Sequence, residues 1–317
     1  MTKSPVAFIF PGQGSQAVGM GKALAEAFPI AQQTFDEADS ALGYKLSELC
    51  FNGPEEKLKL TEITQPAILT VSVAALRVLH EKGVTPDLVA GHSLGEYSAH
   101  VAAGTLDFAD AVRTVRNRGK YMQEAVPVGV GAMSAVLGMP IAELQKVCDE
   151  AAQGEVCSPA NINSPEQIVI SGSKAAVERA AELAKVRGAK RAIMLQVSAP
   201  FHCALMQPAR ERLAADLKNL RFSALRLPLA KNIDGEVTRD SEQARRALVD
   251  QVTGAVQWVK SMQTLIAQGV QTLVEVGPGK VLCGLMRQID RSRTCLNVED
   301  IASLEKTLTS FSAASAS

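Results

Sequence analysis

Gly91-His92-Ser93-Leu94-Gly95 has the residue types and spacing of a covalent catalyst. In the pattern G-x-S-x-G a serine sits where a strand turns sharply into a helix. The turn pushes the hydroxyl into the open, and the glycines keep side chains out of the crowded backbone. The helix behind it aims its first N–H groups at the oxyanion formed when the serine attacks a carbonyl. Apolar Leu88-Val89-Ala90 before the motif and Glu96 to Ala103 after it supply the strand and the helix. The pattern alone also fits a glycine-rich turn with a surface serine, since chance produces it in roughly one chain in ten of this length.

A serine nucleophile needs a base, and the chain has 4 histidines. His92 lies beside the nucleophile with its side chain directed away, His100 falls about two turns along the next helix, and His80 ends a long helical run. His202, in Ser198-Ala199-Pro200-Phe201-His202-Cys203, occupies a loop after a predicted strand, a common place for a catalytic base. The same position also fits a loop histidine packed beside Phe201. Cys203 is a poor rival nucleophile, because no second histidine is placed to activate it.

Two glycine-rich segments lead elsewhere and fail. Gly12-Gln13-Gly14-Ser15-Gln16-Ala17 follows a strand as a dinucleotide fingerprint does, but a helical pattern stands where the second strand and its acid belong. Gly277-Pro278-Gly279-Lys280 lacks the earlier glycine of a phosphate loop, and Val281 replaces its Ser or Thr.

These residues need a frame. The sequence predicts strands at Val6–Phe10 and Leu88–Ala90, with helical patterns filling most of Lys22 to Glu81 between them. Helices follow at Leu94–Ala103 and Asp107–Ala125, with Asp107 as N-cap. From Ala132 to Leu195 the order becomes β-α-β-β-α-β, the pattern of a ferredoxin-like unit. Strands at Leu229–Lys231, Thr272–Val276 and Thr294–Asn297, separated by helices, complete the reading. The fold class is therefore α/β, a mostly parallel sheet covered on both faces with an inserted α+β subdomain. The core spans 1–127 and 198–317, and the subdomain spans 128–197.

Composition is that of a globular chain, 47% hydrophobic and 21% charged over 317 residues. Lysine and arginine (33) balance aspartate and glutamate (33), so no net field recruits nucleic acid or a membrane. The 6 cysteines show no C-x-x-C pair and no zinc spacing, and read as reduced thiols of a cytoplasmic protein with no metal. The five apolar residues after the N-terminal Met1–Pro5 are too few for a signal peptide or a membrane span. The Ser- and Ala-rich end from Ser312 reads as a frayed tail.

Several motifs occur in a fixed order: Phe10-Pro11-Gly12-Gln13-Gly14-Ser15-Gln16, then Gly91 to Glu96, Asn117-Arg118-Gly119, Pro200-Phe201-His202, Gln257-Trp258 and Glu275-Val276-Gly277-Pro278-Gly279. Over about Val6 to Val298 the chain resembles the malonyl-CoA:acyl carrier protein transacylase family. That resemblance implies an α/β hydrolase-like core carrying a small ferredoxin-like insertion. It implies that Ser93 is acylated by malonyl-CoA, a coenzyme A thioester, and deacylated by the phosphopantetheine thiol of acyl carrier protein. No cofactor is bound. His202 is the general base and acid, oriented by the backbone carbonyl of Gln251. The oxyanion hole is the N–H groups of Gln13 and Leu94, and Arg118 grips the malonyl carboxylate, where by position alone it reads as one charge on a solvated helix face. Bulky Phe201 and Leu94 go with malonyl over methylmalonyl selectivity, although many free-standing relatives carry serine in place of Phe201. A monomer is expected, and Arg187, Lys190 and Arg191 are candidates to meet the carrier's acidic face. The rival readings are a serine thioesterase or esterase using the same Ser-His pair, and a carrier-docking module without chemistry.

Overall fold

The computed structural model describes residues 4–315. Strand β1 (Val6–Phe10) is buried along its whole length, as an unbroken apolar run should be in the middle of a sheet covered on both faces. Helices α1 (Lys22–Ala27), α2 (Pro29–Leu42), α3 (Leu46–Asn52), α4 (Glu55–Leu58) and α5 (Thr61–Glu81) follow. Helix α5 is long and apolar enough to cross a membrane by length and composition, but 83% of its most apolar window is buried within the protein. It is a core helix.

Strand β2 (Leu88–Gly91) then leads into α6 (Gly95–Ala102) and α7 (Phe108–Ala125). Asp107 caps α7 by accepting the Ala109 N–H, as its side chain and position predict. The next six elements are β3 (Gly131–Leu137), α8 (Ile141–Ala152), β4 (Cys157–Ser164), β5 (Gln167–Ser173), α9 (Lys174–Val186) and β6 (Arg191–Met194). A 3-10 turn at Ala204–Met206 precedes α10 (Gln207–Lys218), β7 (Leu229–Ala230), β8 (Val237–Thr238), α11 (Ser241–Asp250) and α12 (Trp258–Ala267). The chain ends with β9 (Thr272–Val276), α13 (Val281–Ile289), β10 (Thr294–Val298) and α14 (Ile301–Ser315).

Two sheets result. The larger runs β10-β9-β1-β2-β7-β8, parallel except for the β7–β8 pair. Because Phe10 is in register with Gly91, β1 and β2 end side by side, and the Pro11-Gly12-Gln13 loop emerges next to the Gly91–Gly95 turn. The smaller sheet, β4-β5-β3-β6, is antiparallel. One face packs on α8 and α9 through Val136, Leu144, Val147, Ile168, Ile170 and Val177. Its other face, with Met133, Ala135, Ala160 and Val169, packs against Leu195, Val197 and Phe201. Val256, just before α12, pairs with Ala160 and Ile162 of β4 by backbone hydrogen bonds and so joins the small sheet to the main body.

Two expectations change. Cys283 and Cys295 form a disulfide rather than free thiols, because α13 and β10 pack side by side and bring their Cα atoms to 5.4 Å. Cys50, Cys148, Cys157 and Cys203 are free and buried. The end of the chain is helical through Ser315, not frayed from Ser312, and Ala316 and Ser317 lie outside the described residues. The glycine-rich Glu275–Gly279 segment is a structural turn: the buried Glu275 carboxylate accepts the N–H groups of Leu282 and Cys283 and caps α13.

Candidate active site

Ser93 sits at the turn from β2 into α6 with φ +52°, in the left-handed region that costs a residue with a Cβ. Neighbouring glycines make that turn possible. A Cβ at Gly91 would overlap the Gly95 carbonyl, and one at Gly95 would overlap the Phe10 carbonyl of the adjacent strand. Asn232, at the end of β7, locks the turn from beneath. Its Oδ1 accepts the Ser93 N–H at 2.7 Å, and its Nδ2 donates to the Gly91 carbonyl at 2.6 Å.

His202 also has a positive φ, +60°, and only 3% of its surface is exposed. Its Nε2 lies 2.7 Å from Ser93 Oγ, and its Nδ1 lies 2.8 Å from the Gln251 carbonyl oxygen. A carbonyl can only accept, so Nδ1 carries the proton and the Nε2 lone pair faces the serine. Burial, then the positive charge of Arg118, lowers its pKa to about 3 against the pull of the Gln251 hydrogen bond. The ring is neutral at pH 7, with its Nε2 lone pair turned to the serine.

Arg118 departs most from a plain reading of the sequence. It is 2% exposed on α7, not on a solvated helix face. Nη1 donates to Gln65 Oε1 at 2.8 Å, and Nη2 donates both to Gln251 Oε1 at 2.9 Å and to Ser93 Oγ at 3.1 Å. Its Nε has no partner, and no carboxylate among the described residues forms an ion pair with it. A buried cation without a counter-ion is costly unless an anion is supplied from outside.

A cavity of about 480 Å³ opens over these groups. Gln13, Leu94, Arg118, Phe201, His202 and Ser93 all line it, together with Met133 and Val169 of the small sheet and Val281 and Leu282 of α13. Every residue picked out from the sequence therefore reaches one place, with Gln251 directly behind it. His92 points away from Ser93 and bonds Asn163 of β4 through Nε2 at 2.8 Å, tying the elbow to the small sheet. His100 is fully buried with neither ring nitrogen hydrogen-bonded, and burial lowers its pKa to about 3.

Three contributors were missed. Gln65 could have been suspected as a buried amide within the apolar run of α5, and Asn232 as a polar residue just past a strand end. Glu96 reads from sequence as an ordinary acid in the first turn of a helix. Its carboxylate is instead fully buried behind Ser93, where it accepts from Gln251 Nε2 at 2.7 Å and from the Asn232 N–H at 3.1 Å. Two suggested docking cations are already engaged, Arg187 with Glu150 and Glu143, and Lys190 with Glu166. Among the described residues no cluster of three or more His, Cys, Asp or Glu is placed to hold a metal ion.

A buried serine–histidine pair on a strand-to-helix turn, beside an unpaired guanidinium, defines an acyl-transferring site. Residues 7–313 match the acyl transferase domain family, and within it the chain belongs with the malonyl CoA-acyl carrier protein transacylases. It is 53% identical over 304 residues to the malonyl CoA-acyl carrier protein transacylase of Salmonella typhimurium, covering 96% of this chain and 98% of that one. Identity to the Bacillus subtilis enzyme of the same name is 50%, covering 95% and 96%. The crystal structure of an acyl carrier protein S-malonyltransferase from Vibrio cholerae superposes with a TM-score of 0.94 at 49% identity, covering 96% of this chain and all of that one. A malonyl-transacylase solved in complex with its type II acyl carrier protein gives 0.95 at 49% identity, with coverage of 97% and 100%.

Proposed function

We propose that this chain moves a malonyl group from coenzyme A to the phosphopantetheine thiol of an acyl carrier protein, through an ester on Ser93. The observation that carries this reading is the buried Arg118 guanidinium, in contact with no carboxylate among the described residues and 3.1 Å from the nucleophile. A planar fork at that place accepts a carboxylate by two parallel hydrogen bonds. A hydrolase of neutral esters has no use for it.

The steps follow from the geometry. His202 Nε2 takes the Ser93 proton as Oγ attacks the thioester carbonyl. The oxyanion is received by the N–H groups of Gln13 and Leu94, which come from the loop after β1 and from the start of α6. Collapse expels the coenzyme A thiolate, which takes the proton back from His202. The carrier thiol then repeats the sequence in reverse. The Gln251 carbonyl, like a carboxylate, holds the imidazole in one tautomer, but it adds no negative charge beside the malonyl group. The product supplies fatty-acid or polyketide synthesis.

The finer reading of the fold belongs to the same proposal: a hydrolase-like core (1–127 and 198–317) with a ferredoxin-like insertion (128–197), in a cytoplasmic protein. The confinement of β3 to β6 to residues 131–194 supports it. Phe201 and Leu94, both at the cavity wall, favour malonyl over methylmalonyl groups.

Intact-mass spectrometry after mixing with malonyl-CoA tests the reaction. One malonyl group should appear on the wild-type chain and not on Ser93→Ala, and should leave when holo carrier protein is added. Steady hydrolysis of malonyl-CoA without carrier would replace this reading with that of a thioesterase.

A further inference from the structure

The Gln251 side-chain amide lies where the elbow, the base and the arginine meet. Its nitrogen donates to Glu96 Oε2 at 2.7 Å and to the Ser93 carbonyl at 3.0 Å, with Asn232 Oδ1 at 3.4 Å. All three are acceptors, which dictates that the nitrogen faces them and the oxygen faces away. The oxygen is then free to accept Arg118 Nη2. Of the three acceptors, Glu96 is the closest and the one that can carry full charge. The Ser93 carbonyl already accepts the Glu96 N–H, and Asn232 Oδ1 already accepts the Ser93 N–H.

Glu96 has no other evident task. Among the described residues it forms no ion pair, its Oε1 has no partner, and its Oε2 accepts only from Gln251 and Asn232. Burial raises its carboxyl to about 7, opposed by those two hydrogen bonds and by the charge of Arg118. A carboxylate is thus kept dry behind the nucleophile, with an amide between it and the guanidinium.

We propose that Glu96 is a positioning residue that sets the preference for a malonyl group by fixing the Gln251 amide, and through it the Arg118 guanidinium. Were the amide to turn over, its NH2 would face the guanidinium donor to donor. Arg118 Nη2 would then keep only Ser93 Oγ as an acceptor, the same oxygen that donates its proton to His202. The Gln251 carbonyl that orients His202 belongs to the same residue, so one carboxylate steadies both the base and the acid-binding fork. The inference rests on the reading of Arg118 as the malonyl-binding group.

The test measures the rate of Ser93 acylation by malonyl-CoA and by acetyl-CoA in the full chain, using intact mass. Glu96→Ala should lower the malonyl-to-acetyl ratio about tenfold, the effect of one misplaced hydrogen bond to a charged group. Gln251→Met, which keeps the carbonyl under His202, should lower it similarly, and the double variant should fall no further than either single one. Glu96→Gln still offers an acceptor to Gln251 and should hold the ratio to within about threefold. If Glu96→Ala does not fold, Glu96→Asp, whose shorter side chain cannot reach both donors, takes its place with the same expected loss. Equal losses for the two acyl groups, additive losses in the double variant, or a Glu96→Gln ratio as low as that of Glu96→Ala would overturn the proposal. Arg118→Ala run in parallel separates the two readings. If it leaves the ratio unchanged, the reading of Arg118 fails and this inference with it. If it lowers the ratio while the Glu96 variants do not, this inference alone fails.

Discussion

The two sheets divide the labour unequally. Ser93, Asn232 and the Gln13 loop all lie at the carboxyl ends of parallel strands in the large sheet, where chain reversals expose backbone N–H groups. His202, Arg118, Gln65, Gln251 and Glu96 reach the same point from helices and loops around that sheet. The small antiparallel sheet adds to the cavity Met133, Val169 and the amides Asn161, Asn163 and Gln167. One unit holds the reacting groups, and the other shapes the space above them. Parallel strands place many loops at one end of a sheet, while an antiparallel sheet offers a smooth face.

The comparison can be broken most severely at Ser93. Ser93→Ala should cost about 10⁴-fold or more in transfer rate, measured with carrier protein as acceptor. Arg118→Ala should cost about 10²-fold with malonyl-CoA while raising the relative rate with acetyl-CoA, because a buried charge-assisted pair is lost. At the wall, Phe201→Ala should preserve malonyl transfer and raise use of methylmalonyl-CoA by up to about tenfold, since room for one methyl group is worth only ~1–3 kcal/mol. Arg187→Ala, which breaks ion pairs on the small unit's surface, should change the melting temperature by no more than about 2 °C and leave acylation by malonyl-CoA intact.

The smallest expected effect is near zero and concerns pH. An imidazole with the ordinary pKa of ~6.5 would lose roughly 20-fold of its base form between pH 7 and 5. With its pKa lowered to about 3, His202 should keep the reaction of Ser93 with a neutral ester nearly constant over that range. The sign also fixes a stability trend. Below pH 6.5 the unfolded chain takes up this proton before the folded one, so this group's contribution to stability declines as pH falls towards 3.

Much of this was legible in the residues, for identifiable reasons. The elbow shows in sequence because a strained turn demands glycines at fixed offsets, and β1 shows because a fully buried strand is an unbroken apolar run. Strands β3, β4 and β5 show because each is long, 7, 8 and 7 residues, and bounded by a turn. The two-residue β8 is too short to leave a pattern. Asn232 and Gln65 leave only a hint, a polar residue just past a strand end and an amide in an apolar run, because their roles lie in partners far along the chain, Gly91 and Arg118. The Cys283–Cys295 pair likewise depends on how α13 lies against β10. Arg118 is the instructive middle case, since its identity was plain but its burial was not.

The strand order β10-β9-β1-β2-β7-β8 is also a timetable. β1 is made before every other strand of its sheet, yet one of its two neighbours is β9, which begins only at Thr272. At ~5–20 residues per second, the ribosome leaves that edge uncovered for tens of seconds. During that wait α5, apolar enough to be mistaken for a membrane segment, lacks part of its covering, for it too packs on β9. The small sheet has no such delay, because all four of its strands leave the ribosome in succession. The small sheet is therefore complete before the nucleophile's sheet, which closes only when β9 and β10 have emerged.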